Sequence, residues 1–118
     1  MPTVFVIDDD EHLRKFLARG LKRKGYVCET AAGGESAIAR LAEEKFDAVV
    51  CDLHMPGVDG LDVLRYAHRE LREPPPFIVI TAYGSVTHAV QAMKEGAADF
   101  VEKPVGVDEL AASVQGAI

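Results

Sequence analysis

Long apolar runs are missing from this chain of 118 residues. None approaches the length that crosses a membrane, and the N-terminus lacks the extended apolar region of a signal peptide. The expected compartment is the cytoplasm, and no membrane partner is expected. Cysteine is scarce: Cys28 and Cys51 are the only two, each inside an apolar, strand-like run. They read as small buried hydrophobes rather than a disulfide. No Cys/His spacing resembles a zinc site. Positive charge is outweighed, with 13 Lys and Arg against 19 Asp and Glu and a net charge of −6. That balance argues against this domain gripping nucleic acid or an anionic membrane by itself. The one basic run, Lys22-Arg23-Lys24, falls at a helix end, where cations are favourable. There is no internal repeat and no low-complexity linker, so the length points to one domain.

What the chain does contain is a set of apolar runs that each end in a polar group. Val49-Val50-Cys51 runs into Asp52, Val4 to Ile7 into Asp8-Asp9-Asp10-Glu11, Val79-Ile80 into Thr81-Ala82, and Phe100-Val101 into Glu102-Lys103-Pro104. Short β-branched runs of this kind fit strands buried on both faces. The loop after Asp52 carries two turn dipeptides, Pro56-Gly57 and Asp59-Gly60.

Helical patterns separate the runs. Leu13, Phe16, Leu17 and Leu21 recur on one helical face, and Gly25 is suited to end that helix. Tyr26 to Ala31 alternates and reads as a strand near an edge, and Gly33-Gly34 reads as a loop. Glu35 to Lys45 is predicted helical through Ala37, Ile38 and Leu41, and Leu61 to Leu71 through Leu61, Leu64, Ala67, His68 and Leu71. Pro74-Pro75-Pro76 forces a stop before the strand Phe77 to Ile80. The fourth helix would turn Val86, Ala89, Val90 and Met93 inward, with Gly96 closing it. After the short strand Asp99 to Val101 comes a last helix, Asp108 to Ile118, through Leu110, Ala111 and Val114. Five strands alternating with five helices predict a doubly wound, flavodoxin-like α/β fold: a parallel sheet of order 2-1-3-4-5 with helices on both faces. The switch point then lies between Asp8-Asp9 and Asp52, and all the strand-end polar groups converge on one edge.

Converging carboxylates repel unless a cation sits among them. Hard oxygen ligands suit Mg²⁺, which also takes phosphate oxygens. Lys103 adds a positive charge and Thr81 a hydroxyl, so the edge would surround a phosphoryl group with positive charge and donors. Asp52, single and central, is the best acceptor, and carboxylate nucleophiles do form aspartyl-phosphates. Asp8 and Asp9 are then left for the metal.

Asp8-Asp9, Asp52-x-x-Met-Pro-Gly-x-Asp-Gly, Thr81-Ala82 and Lys103-Pro104, in this order and spacing, resemble the receiver domain of two-component response regulators across the whole chain. The resemblance implies that Asp52 accepts a phosphoryl group from a histidine kinase. It implies that Asp9 and Asp52 bind Mg²⁺ (or Mn²⁺), with Asp8 positioning a metal-bound water and the backbone carbonyl of His54 completing the set. Lys103 would pair with the phosphate or with Asp52, across a cis bond to Pro104, while Thr81 would bond a phosphoryl oxygen and draw Ala82 and its loop inward. Pro56 and Gly60 would shape the acceptor loop. Phe100 matches the aromatic switch position; having no hydroxyl, it could act there only by packing. The stretch Tyr83 to Ala97 is similar to receivers of DNA-binding regulators, of the AAA+ activator or helix-turn-helix type. The expectation is therefore a phosphorylation-controlled switch rather than an enzyme, with at most slow Mg²⁺-dependent self-phosphorylation and self-dephosphorylation; it would be taken from a longer protein with a C-terminal effector, or act on a separate one, and so control transcription. Its output, including a homodimer on phosphorylation, would use the surface of the fourth helix, fifth strand and fifth helix. The side chain of His54, which titrates near neutral pH, is expected to tune metal affinity or dephosphorylation.

A competing reading starts from Val6-Ile7-Asp8-Asp9-Asp10, which resembles the Asp-x-Asp start of haloacid dehalogenase-type phosphatases. There Asp8 would be the nucleophile, Thr81 and Lys103 the later motifs, and Asp52 incidental. The chain has no obvious acidic pair after Lys103 and no cap insertion. A flavin-binding reading gains little, because no loop after the first strand offers a run of hydroxyl and Gly residues.

Overall fold

β-branched runs bounded by turn residues produce five short strands, and the computed structural model describes all of residues 1–118. In chain order the elements are β1 (Thr3–Ile7), α1 (Glu11–Arg23), β2 (Val27–Ala31), α2 (Gly34–Glu43), β3 (Ala48–Asp52), α3 (Gly60–Glu70), β4 (Phe77–Thr81), α4 (Val86–Lys94), β5 (Asp99–Glu102) and α5 (Val107–Ala117). The sheet order is β2-β1-β3-β4-β5 and every pairing is parallel. β3 and β4 are buried along their whole length, as central strands covered on both faces are. β2, at the edge, alternates between buried and open positions.

The period of two sends alternate residues of each strand into two cores. Phe5, Ile7, Val49, Cys51, Phe77 and Val79 face α2 and α3, together with Ala92 of α4. Val4, Val6, Val50, Ile78 and Ile80 face Leu17 and Leu21 of α1 and Leu110 and Val114 of α5. Both cysteines are buried and free. Gly25 and Gly96 follow the ends of α1 and α4 with φ of 98° and 108°, where a side chain would be strained. No helix is long and apolar enough to cross a membrane.

Four local expectations are corrected. In α4 the buried residues are Ala89 and Ala92, while Val86, Val90 and Met93 are 62%, 45% and 39% exposed. Alanines let this helix lie close on the sheet, and its larger apolar side chains are turned outward. In α1, Phe16 is 53% exposed. It lies one turn before Gly20, which meets Val107 so closely that a Cβ there would fall 2.3 Å from a Val107 methyl. That face of α1 is turned to the groove beside α5 instead of the sheet. In α3 the inward residues are Gly60, Val63, Leu64 and Ala67, and His68 is exposed. Finally, Gly34 is the first residue of α2, not part of a loop, with Gly33 as its N-cap. A Cβ on Gly34 would fall 2.2 Å from the Val58 carbonyl oxygen, so the glycine lets α2 start against the loop between β3 and α3.

Candidate functional site

Parallel strands put their C-terminal ends on one edge, and the polar groups that follow the apolar runs meet there. Asp8 follows β1 directly, Asp52 and Thr81 are the last residues of β3 and β4, and Lys103 is the first after β5. One carboxylate oxygen from each of Asp8, Asp9 and Asp52 lies within 4.8 Å of the others. Asp8 and Asp52 are buried and Asp9 is open to solvent.

Each oxygen has a distinct environment. Asp52 Oδ1 accepts the His54 N–H at 2.9 Å, and Asp52 Oδ2 accepts from Lys103 Nζ at 2.9 Å. Asp8 Oδ1 accepts the Asp10 N–H at 2.9 Å, while Asp8 Oδ2 is buried with no partner. Thr81 Oγ1 is likewise buried and unpartnered, although its residue is held by Lys103 N–H donating to the Thr81 carbonyl at 2.9 Å. Buried polar atoms without partners are uncommon, and two of them beside a cluster of acids point to a group that binds there.

The electrostatics follow from this packing. Burial raises the Asp8 pKa to about 6; the Asp10 N–H opposes the rise, and the negative charge of Asp52 adds to it. Burial alone would lower the Lys103 ammonium, but its bond to Asp52 and the charges of Asp52, Asp8 and Asp9 outweigh that and raise it.

The loop after Asp52 is built by its neighbours. A Cβ on Gly60 would fall 2.2 Å from the Asp52 carbonyl oxygen, so the start of α3 abuts the end of β3. Asp59 caps α3 reciprocally: its Oδ1 accepts the Asp62 N–H at 2.9 Å, and Asp62 Oδ2 accepts the Asp59 N–H at 3.1 Å. Pro56 is exposed at the outside of this loop, and Gly57 has a φ of 73°. The Lys103–Pro104 bond is cis.

Asp8, Asp9, Asp52 and Lys103 are thus brought together, with the Thr81 hydroxyl pointing to no partner of its own. His54 meets Asp52 through its N–H; its exposed ring lies edge-on to His88 of α4, with centroids 4.8 Å apart, and His88 Nδ1 is 2.5 Å from Ser85 Oγ. Ala82 is exposed on the loop after β4. Phe100 stands apart from the acids: it is 39% exposed and lines a shallow depression with Tyr83, Lys103 and Pro104. Sequence reasoning passed over Glu102, whose Oε2 accepts the Gly84 N–H at 2.9 Å. No pattern in the sequence marks it, because its partner is a backbone N–H on the loop after β4.

The model of the response regulator receiver domain aligns with residues 4–115. The chain belongs to that family. A receiver domain is a signalling switch, not an enzyme in the usual sense. The chain is 38% identical to the C4-dicarboxylate transport transcriptional regulatory protein DctD of Rhizobium meliloti over 116 residues, 98% of this chain and 25% of that protein. It is 39% identical to the DNA-binding transcriptional regulator NtrC of Salmonella typhimurium, again over 98% of this chain, which is 24% of the regulator. The chain therefore spans about a quarter of these two relatives. Among solved structures it resembles FixJ-N with a TM-score of 0.92 at 36% identity, over 99% of this receiver and 93% of the other chain. A receiver domain from Clostridium thermocellum superposes with a TM-score of 0.93 at 28% identity, over 100% and 94% of the two chains.

Proposed function

We propose that this receiver accepts a phosphoryl group from a histidine kinase onto Asp52, in the presence of Mg²⁺ (or Mn²⁺), and so controls an output. The observation that carries the reading is the pairing around Asp52. A rigidly mounted carboxylate lies beside one ammonium and two further acids, with an unpartnered hydroxyl on the next strand. In the transfer, an Asp52 oxygen forms a bond to phosphorus as the phosphorus–nitrogen bond of the donor histidine breaks and the pair of electrons returns to the imidazole. Lys103 neutralises charge on the phosphoryl oxygens and exchanges its bond with Asp52 for one with them. Thr81 Oγ1 donates to a phosphoryl oxygen and thereby gains a partner.

The donor set suits a hard divalent cation. Three carboxylates converge, and Asp8 Oδ2 is buried with no hydrogen-bond partner. Asp9 and Asp52 would hold the ion directly, with Asp8 acting through a bound water and the His54 carbonyl completing the set. When bound, Mg²⁺ supplies positive charge to acids and phosphoryl oxygens alike.

The signal is a shift of population. Phosphorylation acts through contacts that differ between two states, here those of Thr81 and Lys103. The α4, β5 and α5 surface is the output face: Val86, Val90, Met93, Tyr83 and Phe100 are exposed apolar groups on α4, β5 and the loop before α4. The output is transcription, exerted in the cytoplasm through an effector domain and a homodimer that buries this face. In DctD and NtrC, as their names state, the whole proteins are transcriptional regulators.

The test is intact mass after incubation with acetyl phosphate, with and without Mg²⁺, on wild type and Asp52→Asn. A single Mg²⁺-dependent phosphoryl adduct that is lost in the variant supports the reading. An adduct that survives the substitution removes Asp52 from the role.

A further inference from the structure

β4 and β5 end side by side: the parallel register pairs Thr81 with Glu102. Glu102 therefore leaves the sheet next to the residue whose hydroxyl is buried without a partner. Its carboxylate reaches the loop beyond Thr81, where Oε2 accepts the Gly84 N–H at 2.9 Å. Gly84 has a φ of 78°, a conformation suited to glycine, and sits inside the turn closed by Ser85 N–H donating to the Ala82 carbonyl at 3.0 Å. One bond from β5 thus holds the turn that leads into α4, with Tyr83 standing 84% exposed.

We infer that Glu102 is a positioning residue: its bond to the Gly84 N–H holds the Thr81 loop in its resting position and sets how readily Asp52 is phosphorylated. The inference rests on the roles proposed for Asp52 and Thr81. On the role proposed for Thr81, its hydroxyl bonds a phosphoryl oxygen and draws residues 82–85 inward with it. Glu102 stays with β5, so the Gly84 bond is broken or stretched as the loop moves. An interaction present only in the resting state stabilises that state and slows entry to the other. A bond that merely capped an otherwise unpaired N–H in both states would have no such effect on rate.

Three variants separate the two cases. Glu102→Ala removes the acceptor. Glu102→Asp keeps the charge but withdraws it by one methylene. Glu102→Gln keeps an amide oxygen within reach. The measurements are the initial rate of adduct formation with acetyl phosphate and Mg²⁺, and the amide chemical shifts of residues 81–85 before any phosphoryl donor is added. Glu102→Ala and Glu102→Asp are expected to be phosphorylated roughly threefold to tenfold faster than wild type, the range set by one charge-assisted bond at a partly open site. Glu102→Gln is expected to stay close to wild type. In the first two, the resting shifts should move along the line joining the resting and phosphorylated positions of wild type. Equal or slower phosphorylation in Glu102→Ala and Glu102→Asp, or shifts that leave that line, would overturn the assignment. A wild type that takes no phosphoryl group would instead remove the phosphoacceptor reading beneath it.

Discussion

A carboxylate with no exposed surface and one unpartnered oxygen, as Asp8 has, resists ionisation unless a cation joins it. Its folded pKa of about 6 lies above the ordinary 3.8, so the folded state holds the proton more tightly than the unfolded chain does. The stability this gives is full below about pH 4 and is lost as pH rises through about 6. Metal-free protein is therefore expected to lose on the order of 2 kcal/mol across that window, read from urea midpoints. The gain in Tm on adding Mg²⁺ should grow over the same range, because only the deprotonated Asp8 favours the cation and its bound water. Asp8→Asn should flatten the metal-free profile, raise the Tm of metal-free protein at neutral pH, and weaken Mg²⁺ binding at least tenfold, measured by titration calorimetry. A metal-free stability that rises between pH 4 and 6 in wild type alone would contradict this account of Asp8. These residues were legible in the sequence because each polar group directly follows an apolar run, and a strand-end position has only one edge to occupy. The unpartnered state of Asp8 Oδ2 and Thr81 Oγ1 was not legible, since it depends on which neighbours come within reach.

Among the elements, α3 and α4 bear on the site in opposite ways. α3 starts against the acceptor strand, and Gly60 is what permits the approach. Gly60→Ala is expected to cost about 1–3 kcal/mol by forcing the helix from the strand, and to slow phosphorylation by displacing Asp52. Urea unfolding and the acetyl phosphate rate check the two effects separately. α4 presents its larger apolar side chains to solvent, so a charge there should leave the folded monomer intact. Val90→Asp is expected to change stability by no more than about 0.5 kcal/mol, yet to prevent the phosphorylated protein from dimerising in analytical ultracentrifugation. The sequence predicted the existence of α4 but not its rotation. Ala89 and Ala92 lie on a stripe next to that of Val86, Val90 and Met93, and helical periodicity does not say which one is pressed on the sheet. Phe16 shows the same limit: Gly20 decides which face of α1 meets α5, and a glycine carries no hydrophobic signal.

On the scale of the whole molecule, the 2-1-3-4-5 order explains why residues from four strands, spread from position 8 to 103, form one site. That order was legible because strands and helices alternate along the chain, and it places the switch point between Asp8-Asp9 and Asp52. The latch at Glu102 was not, because its partner is a backbone N–H on a loop whose path only the folded chain defines. α4 is tied at both ends: Arg65 of α3 pairs with Glu95 at its C-terminus, and Glu102 holds the turn before its N-terminus. The C-terminal pair is remote from Thr81, so motion is expected at the N-terminal end of α4. Phosphorylation should speed hydrogen exchange in residues 82–86 more than in residues 91–95, and a uniform change along the helix would contradict that.

In the proposed transfer Asp52, and not Asp8, forms the bond to phosphorus. The acceptor is identified by phosphorylating the wild-type protein with acetyl phosphate and Mg²⁺, reducing it with borohydride, and sequencing its peptides by mass spectrometry. Borohydride converts an aspartyl phosphate to homoserine and leaves free carboxylates unchanged. Homoserine is expected at position 52 alone. Homoserine at position 8, with position 52 intact, would contradict it and make Asp8 the nucleophile.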